Sequence, residues 1–143
     1  MIRFATLVAL AVAVTLTLAT TAGDSVWAQA KKWELTKEQK DRAAKAKNPV
    51  PANKRAESAA NGKKLAEQNC APCHGPLGKG DGPAAAALPT KPADWTSKAV
   101  QAEPEGALFV RITDGNPPMP PWASLPEKDR WDLVNYIKTL GKK

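Results

Sequence analysis

The 143-residue chain has one histidine, His74, and two cysteines, Cys70 and Cys73. That scarcity excludes several chemistries. A structural zinc site usually takes four protein ligands, and two Cys with one His are too few. Two cysteines also make no disulfide framework. A redox disulfide of the thioredoxin-like kind needs a βαβ surround, yet no strand pattern of consequence and no internal repeat are present. Methionine occurs only at Met1 and Met119. No P-loop or G-x-G-x-x-G opens a helix, so the glycines between 75 and 82 do not read as a phosphate cradle.

The scarce residues are concentrated in Cys70-Ala71-Pro72-Cys73-His74. C-x-x-C-H is the attachment signature of a c-type haem. On one helical turn, side chains three apart share a face. Both sulfurs can therefore form thioethers to the two vinyl groups of one porphyrin, with the following imidazole beneath the ring to bind iron. With no second histidine, a bis-histidine haem within one chain is excluded. Met119 is then the sole thioether outside the N-terminal leader, set in Asn116-Pro117-Pro118-Met119-Pro120-Pro121-Trp122. An isolated methionine often fills a core gap. Four prolines, however, make a stiff loop rather than a helix or strand, which suits a weak ligand that must be held in place.

With these residues stated, the region from about Pro51 to the C-terminus resembles a class I c-type cytochrome, a small single-haem electron carrier. The matching residues are Gly62 and Leu65, Cys70 to Gly75 (CAPCHG), Gly82-Pro83, Met119-Pro120, and a last helix with Trp131, Leu133, Tyr136 and Ile137. The resemblance implies an all-α fold, its helices wrapped around one covalent haem c and its iron. It also implies a proline carbonyl as acceptor for the His74 ring N–H, with Pro83 as the candidate. One departure is visible: the family often places an aromatic just after the Leu65 position, and Ala66 stands here.

Residues 1–30 read as a signal peptide. Arg3 supplies a positive start, Leu7 to Leu18 is uncharged, and Ala28-Gln29-Ala30 is an A-x-A cleavage site. The alternative is an uncleaved anchor, since Phe4 to Gly23 is about long enough to span a bilayer. Export agrees with haem attachment, which in the resembled family occurs outside the bacterial cytoplasm, so a periplasmic location is expected. Residues 31–50 form a basic polar extension and linker. Thr36 and Gln39 fit a capping box for a helix over Lys37 to Lys47. With almost no apolar face, that stretch is expected to be a solvated helix or a flexible arm.

Residues 51–143 form the expected cytochrome c domain. Asn53 is the expected N-cap of a helix to about Gln68. Gly62 within it either admits another helix closely or is merely tolerated, at about 1 kcal/mol relative to Ala. Gly75 to Trp95 reads as a loop around a haem edge. Trp95 either packs on the haem ring, offering its indole N–H to a propionate, or is an ordinary buried tryptophan. Pro104 opens a short helix on which Leu108 and Ile112, four apart, share a face that can line the haem. Arg111 points elsewhere, to a propionate or to water. Ser124 with Glu127 fits a capping box for a last helix from about Leu125 to Leu140.

The net charge is +7. Losing residues 1–30 leaves it there, because Arg3 and Asp24 cancel. A basic surface favours acidic redox partners, and the absence of a reading motif argues against nucleic acid. Membrane contact is expected only through a respiratory partner or an uncleaved N-terminus. Iron with both axial positions filled by protein does not activate substrates, so an electron carrier is expected rather than an enzyme. Two roles remain open: a diffusible periplasmic shuttle, or the haem-bearing subunit of a specific dehydrogenase or reductase.

Overall fold

Thr36 sets where the first helix starts. Its hydroxyl accepts from the Gln39 amide at 3.2 Å, and the Gln39 side chain accepts from the Thr36 amide at 3.0 Å. This is the expected capping box, and helix α1, Lys37–Lys45, follows it. The computed structural model describes residues 34–141. The expected leader, its cleavage site and Lys31 lie outside the described residues. From Leu35 onward the chain belongs to one compact unit.

Five further helices follow: α2 (Arg55–Asn69), α3 (Ala71–His74), α4 (Lys98–Ala102), α5 (Glu105–Asp114) and α6 (Glu127–Thr139). No strand is found among the described residues, so the fold is all-α as the resemblance implies. Two helix starts differ from expectation, both because of proline. Asn53 does not cap α2. Pro51 begins a 3-10 turn, Ala52–Lys54, that already contains Asn53 and leads into α2. The Ser124–Glu127 capping box does not form, and α6 starts after Pro126 without a side-chain cap. The residue before a proline is biased away from helix, which moves the start past Leu125.

The core is built on the crossing of α2 and α6, and on α5. Trp131, Val134, Leu133 and Ile137 of α6 are buried with Leu108 and Ile112 of α5. Phe109 stacks on Trp131 at 4.2 Å between centroids. Ala66, the departure from the family pattern, is buried in a cluster that also holds Trp95 and Trp131. At Gly62 the two long helices meet backbone to backbone: a Cβ there would lie 1.9 Å from the Asp132 carbonyl oxygen.

Beside this crossing lies a buried polar cluster. The Asp132 carboxyl, in a residue 1% exposed, accepts from the Ser58 hydroxyl and from Lys128 Nζ. Asn135 donates to Ser58 Oγ at 2.7 Å and accepts from Asn48 at 2.8 Å and Arg55 at 3.0 Å. Asn48 and Arg55 also donate to Glu105 at the start of α5. Glu105 is therefore held below the usual carboxyl value: burial pushes it up, but the hydrogen bonds and charge of Arg55 and the Asn48 amide together prevail.

The 31–50 extension, where described, is docked rather than free. α1 buries no residue, yet it lies so close to α5 that a Cβ on Gly106 would stand 2.1 Å from the Ala43 carbonyl oxygen. Ala46 and Val50 pack against the core. A small-residue approach and paired polar groups hold the helix where an apolar stripe is missing.

Candidate functional site

The cysteines and His74 sit on one tight turn. Cys70 ends α2, and α3 runs directly from it to His74. The amides of Cys73 and His74 both donate to the Cys70 carbonyl, at 3.1 and 2.8 Å. Both thiols are free and half-buried. Burial, and secondarily the charge of Cys73, pushes the Cys70 thiol up to about 11. It is therefore protonated at neutral pH, and a protonated thiol is slow to oxidise.

His74 is buried, and burial lowers its pKa against the opposing effect of a backbone carbonyl. That carbonyl is Ala93, 3.1 Å from Nδ1. A carbonyl only accepts, so Nδ1 carries the ring proton and Nε2 keeps the lone pair. Metal-binding histidines are oriented in this manner.

Pro83 was the expected acceptor, and the structure corrects this. Pro83 is exposed. The Gly82–Ala84 stretch is used instead to back the cysteine turn: Gly82 N donates to the Cys73 carbonyl at 3.2 Å and Ala84 N to Pro72 at 2.9 Å. These bonds tie the segment behind α3, and the Ala93 carbonyl from ten residues further along reaches the imidazole.

Several contacts hold that carbonyl in place. Asp94 Oδ1 accepts from the Thr96 amide at 2.8 Å and its hydroxyl at 2.7 Å. Trp95 N donates to Gly78 at 2.7 Å, and Gln101 Nε2 donates to the Trp95 carbonyl at 2.6 Å. Gly78 has φ +71°, and a Cβ on it would meet the Trp95 ring at 2.5 Å. Trp95 itself stacks on the His74 imidazole, centroids 4.4 Å apart and planes 25° apart, with Tyr136 edge-on to it. The indole thus braces the histidine from the side.

Leu108 and Ile112 lie on the buried face of α5, in the same core cluster as Trp95. Arg111, expected at a propionate or in water, instead pairs with Glu103 at 2.8 Å. Met119 is half-buried in a turn closed by two backbone bonds, Asn116 N to Met119 O at 3.0 Å and Met119 N to Asn116 O at 2.9 Å. Among the described residues no group of three or more His, Cys, Asp and Glu side chains could hold a bare metal ion. No helix among them is long and apolar enough to cross a membrane. The donor set is thus two free thiols and one neutral imidazole on a single turn, plus a thioether on a closed loop. It fits a metalloporphyrin held by covalent bonds.

The cytochrome c family model matches residues 59–141. The chain belongs to the cytochrome c family. Its cofactor is haem c, an iron porphyrin held covalently. Comparison with curated protein sequences finds no match. Among solved structures, this cytochrome is similar to a chain of the Kuenenia stuttgartiensis reducing HAO-like protein complex Kustc0457/Kustc0458. Identity is 31% and the TM-score 0.57, covering 66% of this chain and 49% of that one. This cytochrome thus spans about half the length of the solved chain it matches.

Sequence reasoning missed the Ala93 carbonyl and the bracing by Gln101. A backbone acceptor leaves no side-chain signature, and Gly78 and Trp95, which bring its segment close, read in the sequence only as a loop glycine and as a haem-packing or ordinary buried tryptophan.

Proposed function

We propose that this chain is a single-haem carrier of single electrons, with Cys70 and Cys73 as the thioether residues and His74 and Met119 as the axial ligands. The observation that carries the reading is the His74 tether: Nδ1 donates to Ala93, and Nε2 keeps its lone pair free on the turn that bears both thiols. When bound, haem supplies the one-electron couple between ferric and ferrous iron. The chain supplies the rest. His74 and Met119 would hold the iron from the protein side and so leave no place on it for substrate. The thioether of Met119 favours the reduced state, and Met/His ligation raises the potential. Leu108, Ile112 and Trp95 keep the surroundings apolar, which disfavours the extra charge of oxidised iron.

Residues 51–143 are the electron-carrying domain, and 31–50 extend it. The protein acts in the periplasm after cleavage near Lys31, and its charge of +7 favours acidic redox partners. The test of attachment is extraction. After denaturation and acid–acetone treatment the haem should stay with the chain, and Cys70→Ala should leave at most one thioether and a poorly folded product. Haem passing entirely into the organic phase from the parent protein would overturn the reading.

A second role is supported by the likeness to a chain of a protein complex. In this role the chain is the haem-bearing subunit of a larger redox assembly. Gentle extraction of native membranes and periplasm, followed by haem-stained native gels, separates the two. A shuttle, shortened by removal of residues 1–30, runs clearly below the 15.2 kDa of the full chain, whereas a subunit runs with its partners.

A further inference from the structure

The loop that carries Met119 stands on the last turn of α5, and three consecutive residues of that turn are tied to three different segments. Ile112 O accepts from Trp122 N at 3.0 Å, just past the loop. Thr113 Oγ1 accepts from Arg130 Nη1 at 2.7 Å, from α6. Asp114 Oδ2 accepts from Arg42 and, at 3.0 Å, from Gln39 Nε2, both on α1. The first two ties lie within residues 59–141, which the family model covers; the third comes from outside it.

Asp114 is in an unfavourable place by itself. It is the last residue of α5, and a negative side chain there opposes the helix macrodipole. A cation from another segment makes the position acceptable, and Arg42 supplies one. The next residue, Gly115, has φ +68°, and a Cβ there would stand 2.6 Å from Pro120 C and Pro121 N. The chain therefore folds back on itself straight after Asp114, so any movement of Asp114 reaches the Asn116–Met119 turn. α1 buries no side chain; it docks through this pair, the Gln39 bond to Asp114, the Gly106 approach and the packing of its C-cap, Ala46, on the core.

We propose that α1 is a strut for the methionine loop, with Arg42 and Gln39 as positioning residues that hold Met119 on the iron by fixing Asp114. This rests on the reading of Met119 as the axial ligand. The strut opposes displacement of the sulfur by competing ligands. Its contribution is local, because α1 adds little to the core.

The experiment uses the oxidised holoprotein and titrates it with imidazole, following loss of the weak sulfur–iron(III) band at the near-infrared edge. Gln39→Ala with Arg42→Ala should bind imidazole about three- to tenfold more tightly than the parent, the range for losing a partly exposed, charge-assisted pair. Arg42→Ala and Asp114→Ala should be non-additive in a double-mutant cycle, and Arg42→Asp with Asp114→Arg should restore the parent affinity. Two controls separate bracing from general stability. Lys37→Ala removes an exposed pair on α1 with Asp41. Asn48→Ala loosens the linker at the opposite end of α5. Neither should change imidazole affinity, even where Asn48→Ala lowers the melting temperature. If Met119→Ala abolishes the band but the Arg42 and Gln39 variants bind imidazole like the parent, the strut is wrong and the ligand assignment stands. An equal shift in the controls overturns the strut as well. If Met119→Ala keeps the band, the ligand assignment and the strut fall together.

Discussion

Met119→Ala should remove the sulfur–iron(III) band from the oxidised protein and lower its reduction potential. The expected drop is on the order of a few tenths of a volt, within the span of about 0.8 V over which axial ligands set haem potentials. No other thioether is available beyond Met1, and no second histidine can take its place. Water, a lysine or an added ligand then fills the sixth position. The reduced variant should bind carbon monoxide readily, where the parent binds it poorly. Met119→His should keep a six-coordinate iron but still lower the potential, because imidazole lacks the preference of a thioether for ferrous iron. An unchanged spectrum and potential in Met119→Ala would remove the methionine from the iron and reopen gas-sensing or peroxidase chemistry.

The second large effect is expected at the helix crossing. In an open helix, Gly→Ala stabilises by about 1 kcal/mol. At Gly62 the added methyl would sit 1.9 Å from the Asp132 carbonyl oxygen. Backbone cannot swing aside as a side-chain tip can, so α2 and α6 must separate. Overpacking of this kind typically costs 1–3 kcal/mol and occasionally more, and separation of the principal helix pair puts Gly62→Ala at about 3 kcal/mol or above. A domain with ~5–15 kcal/mol of total stability feels that loss strongly. Denaturant melts of the holoprotein should show a lower midpoint and a lower yield of haem-loaded product. A higher midpoint would mean that the glycine is only tolerated.

How much could be read in advance depends on which atoms carry the information. The Thr36–Gln39 box and the buried stripe from Trp131 to Ile137 were legible because side-chain type at fixed spacing defines them. Gly62 was legible as a candidate, but its contact needed the partner helix to be placed. The shape of the Cys70–His74 turn was legible because both cysteines and the histidine are named in the motif. The acceptor for the His74 ring was not. Pro83 and Ala93 offer the same carbonyl group, and only the path of the loop chooses between them. Docking of α1 was hidden for another reason. Hydrophobic patterning detects stripes of large residues, whereas α1 is held by the Gly106–Ala43 approach and by polar pairs to Asp114. The leader lies outside the described residues.

The polar cluster beside the crossing has a consequence for alignment. Apolar ridges can interdigitate in neighbouring arrangements of similar energy, since one buried leucine contact resembles the next. Hydrogen bonds do not shift so freely. Sliding α6 along α2 by one turn, about 5.4 Å, would keep Lys128 with Asp132, because both ride on the same helix. It would carry the nearly inaccessible Asp132 carboxyl away from the Ser58 hydroxyl and part Asn135 from Ser58 and Asn48. A hydrogen bond to a charged group is worth about 1.5–3 kcal/mol, so the slipped arrangement is penalised even where its apolar packing is good. Ser58, Asp132 and Asn135 act as a key between the helices, admitting one register out of several that hydrophobicity alone would allow.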